Sequence, residues 1–515
     1  MHKSFSLLSE AWMPVRFVDG TVTRLGLDEV FARSHEIVAL AETAPPSLVA
    51  QYRLLLAILH RALVHVRGRW DDDDRADWHA DGLPLSDIRA YLARWRDRFW
   101  LFHPEAPFLQ VAALSAAAET RDKRKPWTQI ALASAKGNTP VVFDHAWDGD
   151  PTEITAADAV CTLLGFLQFT PGGLVKSLRD ADKAGALANT AAVVPLGPNL
   201  ASTLCLALHP APTAHAEPDL PAWEREPLTT NQLRAEPILA TGPNDRYSRQ
   251  SRAVLLVREN DGGVRWLHFG AGQALGEDPH APDPMASYRA GSNGLVRLTF
   301  TAGRAIWRDL PVLVPDRGSG GQPAAVLNYA INLHLADSAR SPYQRLLVAG
   351  VASDQAKILR WRADSIALPS VVLFDPDKAQ LLGSLLRVAE ALFSDMRRLA
   401  TWMLAHALPD SKSKDTQGRA RAMLEASPFA AAYFVAMERA LPEALRELGE
   451  GACGDAADHW HQAMRGAALH AWDQVLTCLG QSARALRADG EYTHRLYALL
   501  NKQCSRPHAE LPEEV

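Results

Sequence analysis

The C-terminal part of the chain, from about residue 376, carries apolar side chains at helical spacing over four long stretches. These stretches cover residues 377–407, 417–447, 455–479 and 482–503. In the first, apolar residues recur every three or four positions, at Leu382, Leu385, Leu386, Ala389, Leu392, Phe393, Met396 and Leu399. Such spacing puts them on one helix face, which must be buried against a neighbour. Because short breaks join the stretches, the pattern predicts an antiparallel four-helix bundle.

The residues before this region mix strand-like and helical patterns. Two strand-like runs flank Asp19-Gly20 and predict a hairpin, whereas residues 47–66 have the apolar spacing of a helix. Strand patterns dominate again from residue 252 to 314. The sequence therefore predicts an α+β protein, with a large mixed α/β N-terminal domain over residues 1–375 and the bundle over residues 376–515.

Composition limits the classes of function. The 515 residues carry a formal net charge of −5, which argues against a free-standing nucleic-acid binder. It still allows a subunit that grips nucleic acid locally while its partners supply positive charge. The five cysteines are scattered without a C-x-x-C pair, which indicates a reducing compartment. No apolar run approaches the roughly 20 residues of a membrane span, so we expect a cytoplasmic protein with no membrane partner.

The sequence contains few signs of catalytic chemistry. It has no P-loop, no G-x-S-x-G and no H-E-x-x-H. Four consecutive carboxylates, Asp71 to Asp74, are followed by His79 and leave a metal-dependent nuclease or hydrolase open as an alternative. Consecutive side chains do not converge on one point, however, so a solvated loop is expected there. We expect no enzymatic activity, no cofactor and no metal.

A glycine pair follows an apolar helix predicted over residues 157–169. In the segment from Thr170 to Ser177, Pro171 fixes its own φ, while Gly172 and Gly173 allow a sharp bend and carry no Cβ. Lys176 adds a cation nearby. This pattern is more often a simple turn between two structured segments, and it also suits backbone contact with a polyanion.

Several motifs occur in an order that matches a known family. They are Trp12-x-Pro14-Val15-Arg16, Pro107-Phe108-Leu109-Gln110, the loop at Phe143, Gly172-Gly173-x-x-Lys176-Ser177, and Asp354-Gln355-Ala356 before Ile358-Leu359. In this order, and with the terminal bundle, the chain resembles the large subunit (CasA) of the type I-E CRISPR Cascade complex. The resemblance covers nearly the whole chain.

The resemblance implies a non-catalytic, DNA-binding subunit of an RNA-guided surveillance complex. Such a subunit recognises the short motif that flanks the target, the PAM, through the minor groove of double-stranded DNA. A glutamine wedge then starts strand separation and R-loop formation. The implied partners are the backbone, small and guide-end subunits of Cascade, the CRISPR RNA, the target DNA and a helicase-nuclease effector that the subunit helps to recruit. A purely structural scaffold subunit remains the other alternative.

The same resemblance assigns roles to particular residues. The DNA and PAM contacts would be Thr170, Gly172, Gly173, Lys176, Arg289, Asp354, Gln355, Ala356 and Lys357. Gln355 would be the wedge, and Arg289 would be the minor-groove cation in a hairpin that turns near Gly291. Arg360 and Arg362 would neutralise phosphates. The loop that anchors the guide-RNA end would be Phe143, Asp144 and His145. Some relatives have mid-chain cysteines that could hold zinc, and this chain lacks them.

Overall fold

The computed structural model describes residues 3–134, 147–212, 218–278, 280–292, 294–336, 341–354 and 357–504. Packing divides the chain into two compact units. The first unit comprises Met1–Ile306 and Gly321–Ala367, and the second comprises Trp307–Gly320 and Leu368–Val515. The sequence pattern gives no sign that residues 307–320 belong with the helical unit, and the boundary that it predicts follows residue 375.

Strands occur throughout the first unit. They are β1 (Ser4–Ser6), β2 (Met13–Phe17), β3 (Val22–Leu25), β4 (Ile37–Leu40), β5 (Trp100–Phe102), β6 (Arg124–Pro126), β7 (Gly173–Ser177), β8 (Arg179–Asp182), β9 (Ala191–Leu196), β10 (Arg252–Arg258), β11 (Val264–Ala271), β12 (Tyr288–Gly291), β13 (Gly294–Arg297), β14 (Tyr343–Asp354) and β15 (Lys357–Pro369). They form small sheets, among them β3-β2-β4, β10-β11-β6 and β15-β14-β9. The hairpin predicted around Asp19-Gly20 is confirmed, because β2 and β3 pair antiparallel across it.

Helices alternate with these strands and then make up the described C-terminal region as far as Gln503. They are α1 (Leu27–Ala32), α2 (Pro45–Arg67), α3 (Asp72–Asp81), α4 (Leu85–Arg94), α5 (Ala156–Phe169), α6 (Leu200–Ala207), α7 (Thr230–Arg234), α8 (Pro243–Ser248), α9 (Leu310–Leu313), α10 (Ala325–Ala336), α11 (Ser370–Phe374), α12 (Pro376–Ala407), α13 (Lys414–Ala426), α14 (Phe429–Glu450), α15 (Cys453–Leu479) and α16 (Ala483–Gln503). The predicted α+β class, with a helical C-terminal region, is confirmed.

Helix α2 is the central helix of the first unit. It packs against α4, α5 and α8, and the approach to α5 is close because Gly165 lies against Ser47. Its length and composition alone would allow it to cross a membrane, but 89% of its most apolar window is buried inside the protein. We therefore interpret α2 as a core helix.

One charged side chain of α2 lies in the core. Arg53 is fully buried and forms an ion pair with Asp283, while its Nη1 donates a 2.7 Å hydrogen bond to Gln168 Oε1. Gln168 lies near the end of α5, and Asp283 precedes β12. One guanidinium therefore ties the core helix to two segments that are distant in sequence.

The second unit contains four long helices, α12, α14, α15 and α16, together with the shorter α13. The side chains of Trp460 and Tyr433 donate hydrogen bonds to backbone carbonyls of α12, at Leu385 and Ala389. The single helix predicted over residues 417–447 was wrong, because Ser427-Pro428 divides it into α13 and α14. Proline has no N–H to donate and disfavours helical φ/ψ in the residue before it.

Two stacked histidines lie in the interior of the first unit. The rings of His60 and His209 are 3.6 Å apart between centroids. His60 Nε2 lies 3.1 Å from the Pro210 carbonyl oxygen, and its Nδ1 lies 2.9 Å from the amide nitrogen of Asn244. Burial lowers the pKa of His60 to about 3 and also lowers the pKa of His209. Both imidazoles are therefore neutral in the folded protein near pH 7.

We expect the protein to lose stability as the pH falls from 6.5 towards 5. Below pH 6.5 the unfolded chain binds protons on these histidines, whereas the folded chain does not. The free energy of unfolding is therefore highest above pH 6.5 and falls as the pH is lowered. For His60 alone the loss between pH 6.5 and 5 is about 2 kcal/mol, from about 1.4 kcal/mol per pH unit. The melting temperature measured across this range should fall less steeply for His60→Asn. The exposed His35 supplies the control, since His35→Asn should keep the wild-type slope, and equal slopes for all three proteins would contradict the prediction.

Candidate nucleic-acid interface

The predicted glycine loop leaves the end of α5 and leads into β7. The predicted helix before it is confirmed as Ala156–Phe169. Thr170 continues the chain in an extended conformation, with its N–H bonded to Phe166 O and its carbonyl accepting from Gly185 N at 2.9 Å. Its side chain is buried, with the residue only 2% exposed. Thr170 therefore anchors the loop from inside the protein. Because its side chain is buried, only neighbouring residues of the loop can contact DNA in this structure.

The two glycines of the loop have different surroundings. A Cβ on Gly172 would lie 3.3 Å from Ala184 N and 3.4 Å from Asp182 O, so this residue packs against the chain. Gly173 is exposed and has a φ of +145°, which side chains disfavour. Lys176, also exposed, has a φ of +59° in the hairpin formed by β7 and β8. Gly173 and Lys176 thus present bare backbone and a cation on the same small hairpin.

A buried arginine that the sequence analysis did not single out holds this loop in place. Arg252, at the start of β10, donates 2.6 Å hydrogen bonds to Pro171 O and to Lys183 O. Its guanidinium also lies 3.2 Å from Asp182 Oδ2. The residue is 3% exposed, so it positions the loop and does not itself face solvent. In the sequence it is an ordinary arginine at a strand end, and no local pattern marks this role.

The hairpin predicted around Gly291 is confirmed. Strands β12 and β13 pair antiparallel, with Arg289 opposite Val296. Arg289 is exposed, and so are Leu295 and Val296 on the facing strand, at 53% and 46%. The hairpin therefore projects one cation and two apolar side chains from the surface.

The predicted wedge falls, in the sequence, between the last residue of β14 and the first residue of β15. Gln355 and Ala356 are outside the described residues, and so are Phe143, Asp144 and His145 of the predicted RNA-end loop. Asp354 ends β14 and Lys357 begins β15, so the two long strands run up to this point. On β14, Gly350 has a φ of +157°, and a Cβ there would lie 2.0 Å from Thr190 O and 3.1 Å from Phe169 Cε1. This strand therefore passes directly beside the end of α5.

Three predicted regions meet at the segment 184–190, which we call the junction segment. Gly185 N donates to Thr170 O of the glycine loop. Arg297 Nη1, on β13, donates to Ala186 O at 2.9 Å and to Thr190 Oγ1 at 3.3 Å. Asn189 Oδ1 accepts from Ser353 N at 3.0 Å, one residue before the end of β14. The fold thus brings together the glycine loop, the Arg289 hairpin and the approach to Gln355, which are far apart in sequence.

The other two predicted phosphate contacts, Arg360 and Arg362, differ in their contacts with the rest of the protein. Arg360 lies on β15, the edge strand of its sheet. Arg362 is engaged inside the protein: it forms an ion pair with Asp364, donates to Arg304 O, and lies 5.1 Å from the centroid of the Phe300 ring. Arg362 is therefore held by protein contacts in this structure, and its predicted role at phosphates would require those contacts to break.

The acidic run Asp71 to Asp74 starts a helix, so the predicted loop was wrong. Asp71 is the N-cap of α3: its Oδ1 accepts from the backbone N–H groups of Asp73 and Asp74, and Asp74 Oδ2 accepts from Asp71 N. Asp72 pairs with Arg75. Acidic side chains satisfy the free N–H groups of a helix start and oppose its positive dipole end. The part of the chain that the structure describes contains no group of three or more residues arranged to hold a metal, so no observation favours the hydrolase alternative.

Comparison with known proteins agrees with this architecture. The family model described as "CRISPR-associated protein Cse1" matches residues 6–471. A CasA/Cse1 protein of Thermus thermophilus is 36% identical over 528 aligned positions, which cover 100% of this chain and 99% of that protein. A solved structure of Thermus thermophilus CasA has a TM-score of 0.83 at 33% identity and covers 97% of this chain and 100% of its own.

More distant structures share the fold. Cse1 of Acidimicrobium ferrooxidans has a TM-score of 0.77 at 24% identity, with 98% of this chain and 99% of that chain covered. A chain of a solved "CRISPR RNA-guided surveillance complex" has a TM-score of 0.76 at 24% identity, with 96% and 100% covered. The fold and its matches place this chain among the CRISPR-associated proteins.

Within that class the chain belongs to the Cse1 family, also called CasA. The family expected from the sequence motifs, the large subunit of type I-E Cascade, is therefore confirmed.

The junction segment predicts a test of local structure. Asn189 Oδ1 accepts from both Ser353 N and Thr299 Oγ1, each at 3.0 Å. We expect Asn189→Ala to accelerate hydrogen exchange of the Ser353 amide by about tenfold, because a hydrogen bond of about 1–1.5 kcal/mol is lost.

Two controls separate the possible causes of that change. Asn189 has a φ of +51°, so Asn189→Gly removes the acceptor without backbone strain and should show the same acceleration. Asn199→Ala removes the N-cap of α6 and should leave the Ser353 amide unchanged. Unaltered exchange at Ser353 in both Asn189 variants would show that this side chain does not connect the two segments.

Proposed function

We propose that this chain is the PAM-reading large subunit of a type I-E RNA-guided surveillance complex. It recognises the PAM of double-stranded DNA through the minor groove and starts to separate the strands. The observation that carries this proposal is the meeting of three regions at the junction segment. The loop with the exposed Gly173, the hairpin with the exposed Arg289 and strand β14, which leads to Gln355, all bond to one short stretch of chain.

The exposed backbone at Gly173 suits minor-groove contact. The minor groove is about 6 Å wide and mainly distinguishes A·T from G·C pairs. A residue without a side chain can approach its floor closely, and backbone groups tolerate several related sequences. An arginine fork in the major groove would require one particular base pair. Gly172, packed on Ala184, gives this exposed backbone a firm support.

Cations around the loop would contact phosphates. Lys176, Lys183 and Arg289 are exposed on neighbouring segments of the proposed interface. If these three residues neutralise three phosphates, the logarithm of the binding constant should fall with the logarithm of salt concentration with a slope of about −3 from this subunit. The overall charge of −5 is compatible with this role, since binding depends on the local patch.

The segment after β14 would act on the base stack. Gln355 inserts as the wedge, and Asp354, Ala356 and Lys357 flank it at the DNA. Inserting a side chain between base pairs costs a few kcal/mol. Pairing of the guide RNA with the target strand then offsets the opening of the duplex in a nearly balanced exchange. The two long strands β14 and β15 provide a rigid base for such a wedge.

The remaining roles concern partners. We propose that Phe143, Asp144 and His145 anchor the guide-RNA end, and that neighbouring Cascade subunits supply the rest of the nucleic-acid contacts. The chain would recruit a helicase-nuclease and have no catalytic activity of its own. A purely structural scaffold would contribute nothing to PAM preference, so measuring that preference separates the two functions.

Substituting the exposed glycine tests the proposal directly. We expect Gly173→Asp to weaken binding of PAM-containing duplex by the assembled complex about a hundredfold or more, which corresponds to about 2.7 kcal/mol. The new carboxylate would face phosphates, at a φ of +145° that a side chain disfavours. Kd is measured by gel shift, and assembly is checked by size-exclusion chromatography.

The matched control is Gly20→Asp. Gly20 has a φ of +86° in the β2–β3 turn, with open space around its Cβ position. This variant adds the same charge and similar strain elsewhere and should bind like wild type. If Gly173→Asp also bound like wild type, the glycine-loop assignment would fail.

Substituting the wedge tests a later step. We expect Gln355→Ala to slow R-loop formation more than it weakens initial PAM engagement, because the side chain acts after the duplex is bound. Strand opening is followed by permanganate reactivity and engagement by fluorescence anisotropy. Leu359→Ala, an exposed position on β15, is the control and should change neither step. Equal losses in both steps for Gln355→Ala, or no loss in either, would remove the wedge from the mechanism.

A further inference from the structure

A cavity of about 820 Å³ lies in the first unit, against the junction segment. Residues 183–186 and Ala188 form one wall, residues 275–278 and 281–283 form a second, and the β12–β13 hairpin closes the third. Its volume falls within the range of small-molecule sites in proteins. Among the lining residues, Lys183 alone is also a phosphate contact proposed above.

Charges of both signs line the cavity in equal number. Lys183, Arg246 and Arg297 contribute the cations, and Glu277, Asp278 and Asp283 contribute the carboxylates. A balanced lining disfavours a polyanion such as a triphosphate. It favours a ligand that combines one anionic group with hydrogen-bond donors, because each lining charge can then find a partner.

Asp283 lines the cavity and keeps one carboxylate oxygen without a hydrogen-bond partner in the described part of the chain. Its Oδ1 accepts from Arg53 and from Met285 N, whereas Oδ2 is buried and has no hydrogen-bond partner among the described residues. Burial alone would raise the pKa of this carboxyl, but Arg53, Arg246 and Arg297 hold it below its ordinary value. The group is therefore ionised, but its side chain has no accessible surface, so a molecule in the cavity meets its charge and not its oxygen atoms.

The arginines supply the complementary site for an anion. Arg246 is 7% exposed and donates through Nη2 to Ala281 O at 2.9 Å, and Arg297 bonds through Nη1 to the junction segment. Neither forms an ion pair with a described residue. Both still have N–H groups beyond those bonds, because a guanidinium carries five.

An aromatic and apolar surface faces these charges. Tyr288 is partly exposed on the cavity wall, and Leu295 and Ala186 line the same space. An aromatic ring provides a stacking surface for a nucleobase, worth about 1–3 kcal/mol per base. Two cations and a stacking ring are what a phosphate and a base require.

We infer that this cavity binds one unstacked nucleotide as a nucleoside monophosphate unit. Arg246 and Arg297 take the phosphate, and Tyr288 stacks on the base. The cavity shares its wall with the junction segment, to which the glycine loop is bonded at Gly185. The nearest source is therefore a nucleotide of a DNA strand opened beside the loop, and this part of the inference rests on the proposed function. A free nucleotide is the other source of the same chemistry.

One experiment measures free-nucleotide binding by the full-length chain. Equilibrium dialysis with labelled dAMP should show saturable binding that Arg246→Gln weakens about tenfold or more, the loss expected for a charged hydrogen bond. Because Arg246 also bonds to Ala281, Tyr288→Ala is tested beside it and should weaken binding through lost stacking alone. Arg419→Gln, an exposed arginine of α13, is the control and should bind like wild type.

A second experiment identifies a strand nucleotide. Target duplexes carry 5-iododeoxyuridine at successive positions of the displaced strand next to the PAM, in the assembled complex. Irradiation should crosslink one position to Tyr288, as mapped by mass spectrometry. Crosslinking assigns the cavity to the displaced strand, and dAMP binding without crosslinking assigns it to a free nucleotide. Absence of both overturns the inference.

Measuring PAM-dependent duplex binding on the same samples separates the two proposals. PAM preference without dAMP binding or a Tyr288 crosslink leaves the proposed function standing and removes the cavity site. Specific dAMP binding without PAM preference keeps the cavity site and removes the proposed function.

Discussion

The buried ion pair between Arg53 and Asp283 is the interaction on which the rest of the first unit depends. Arg53 joins the core helix α2 to Gln168, near the end of α5, and to Asp283, just before the β12–β13 hairpin. Removing two charges from water costs several kcal/mol per ion, and only close pairing with further hydrogen bonds offsets that cost. An Asp283 left without Arg53 would be an uncompensated buried charge. The pair therefore acts as a constraint: α5 and the hairpin must approach α2 together, and the glycine loop and the hairpin then emerge side by side.

The junction segment connects the same elements nearer the surface. Gly185 and Ala186 bond through backbone groups, to Thr170 and to the Arg297 side chain. Thr190 and Asn189 bond through their side chains, to Arg297 and to Ser353 N. These bonds fix the positions of the three segments relative to one another. A rigid frame behind an exposed loop reduces the ordering cost of binding. The same segment forms the wall of the nucleotide-sized cavity, so the proposed reading and strand-holding sites share one support.

Sequence patterns predicted the elements that depend on local rules. The β2–β3 hairpin, α2, α5 and the Gly291 hairpin follow from turn residues and apolar spacing, and the structure confirms them. The errors arose where one residue overrides a periodic pattern. Pro428 ends a helix that the apolar spacing alone would continue, and Asp71 begins one in a run that resembles a loop. In both cases backbone hydrogen bonding at a helix end decided the outcome.

By itself the sequence determined the class and the family and supplied candidate residues for DNA contact, because composition, order of motifs and helical periodicity are properties of the linear chain. Only the tertiary structure decided which of those residues meet. Thr170 turned inward while Gly173 stayed exposed, Arg252 became the clamp of the loop, and Arg297 joined the hairpin to the junction segment. These are contacts between residues about 80 to 110 positions apart. Their existence depends on how buried polar groups find partners across the whole fold, which no local pattern encodes.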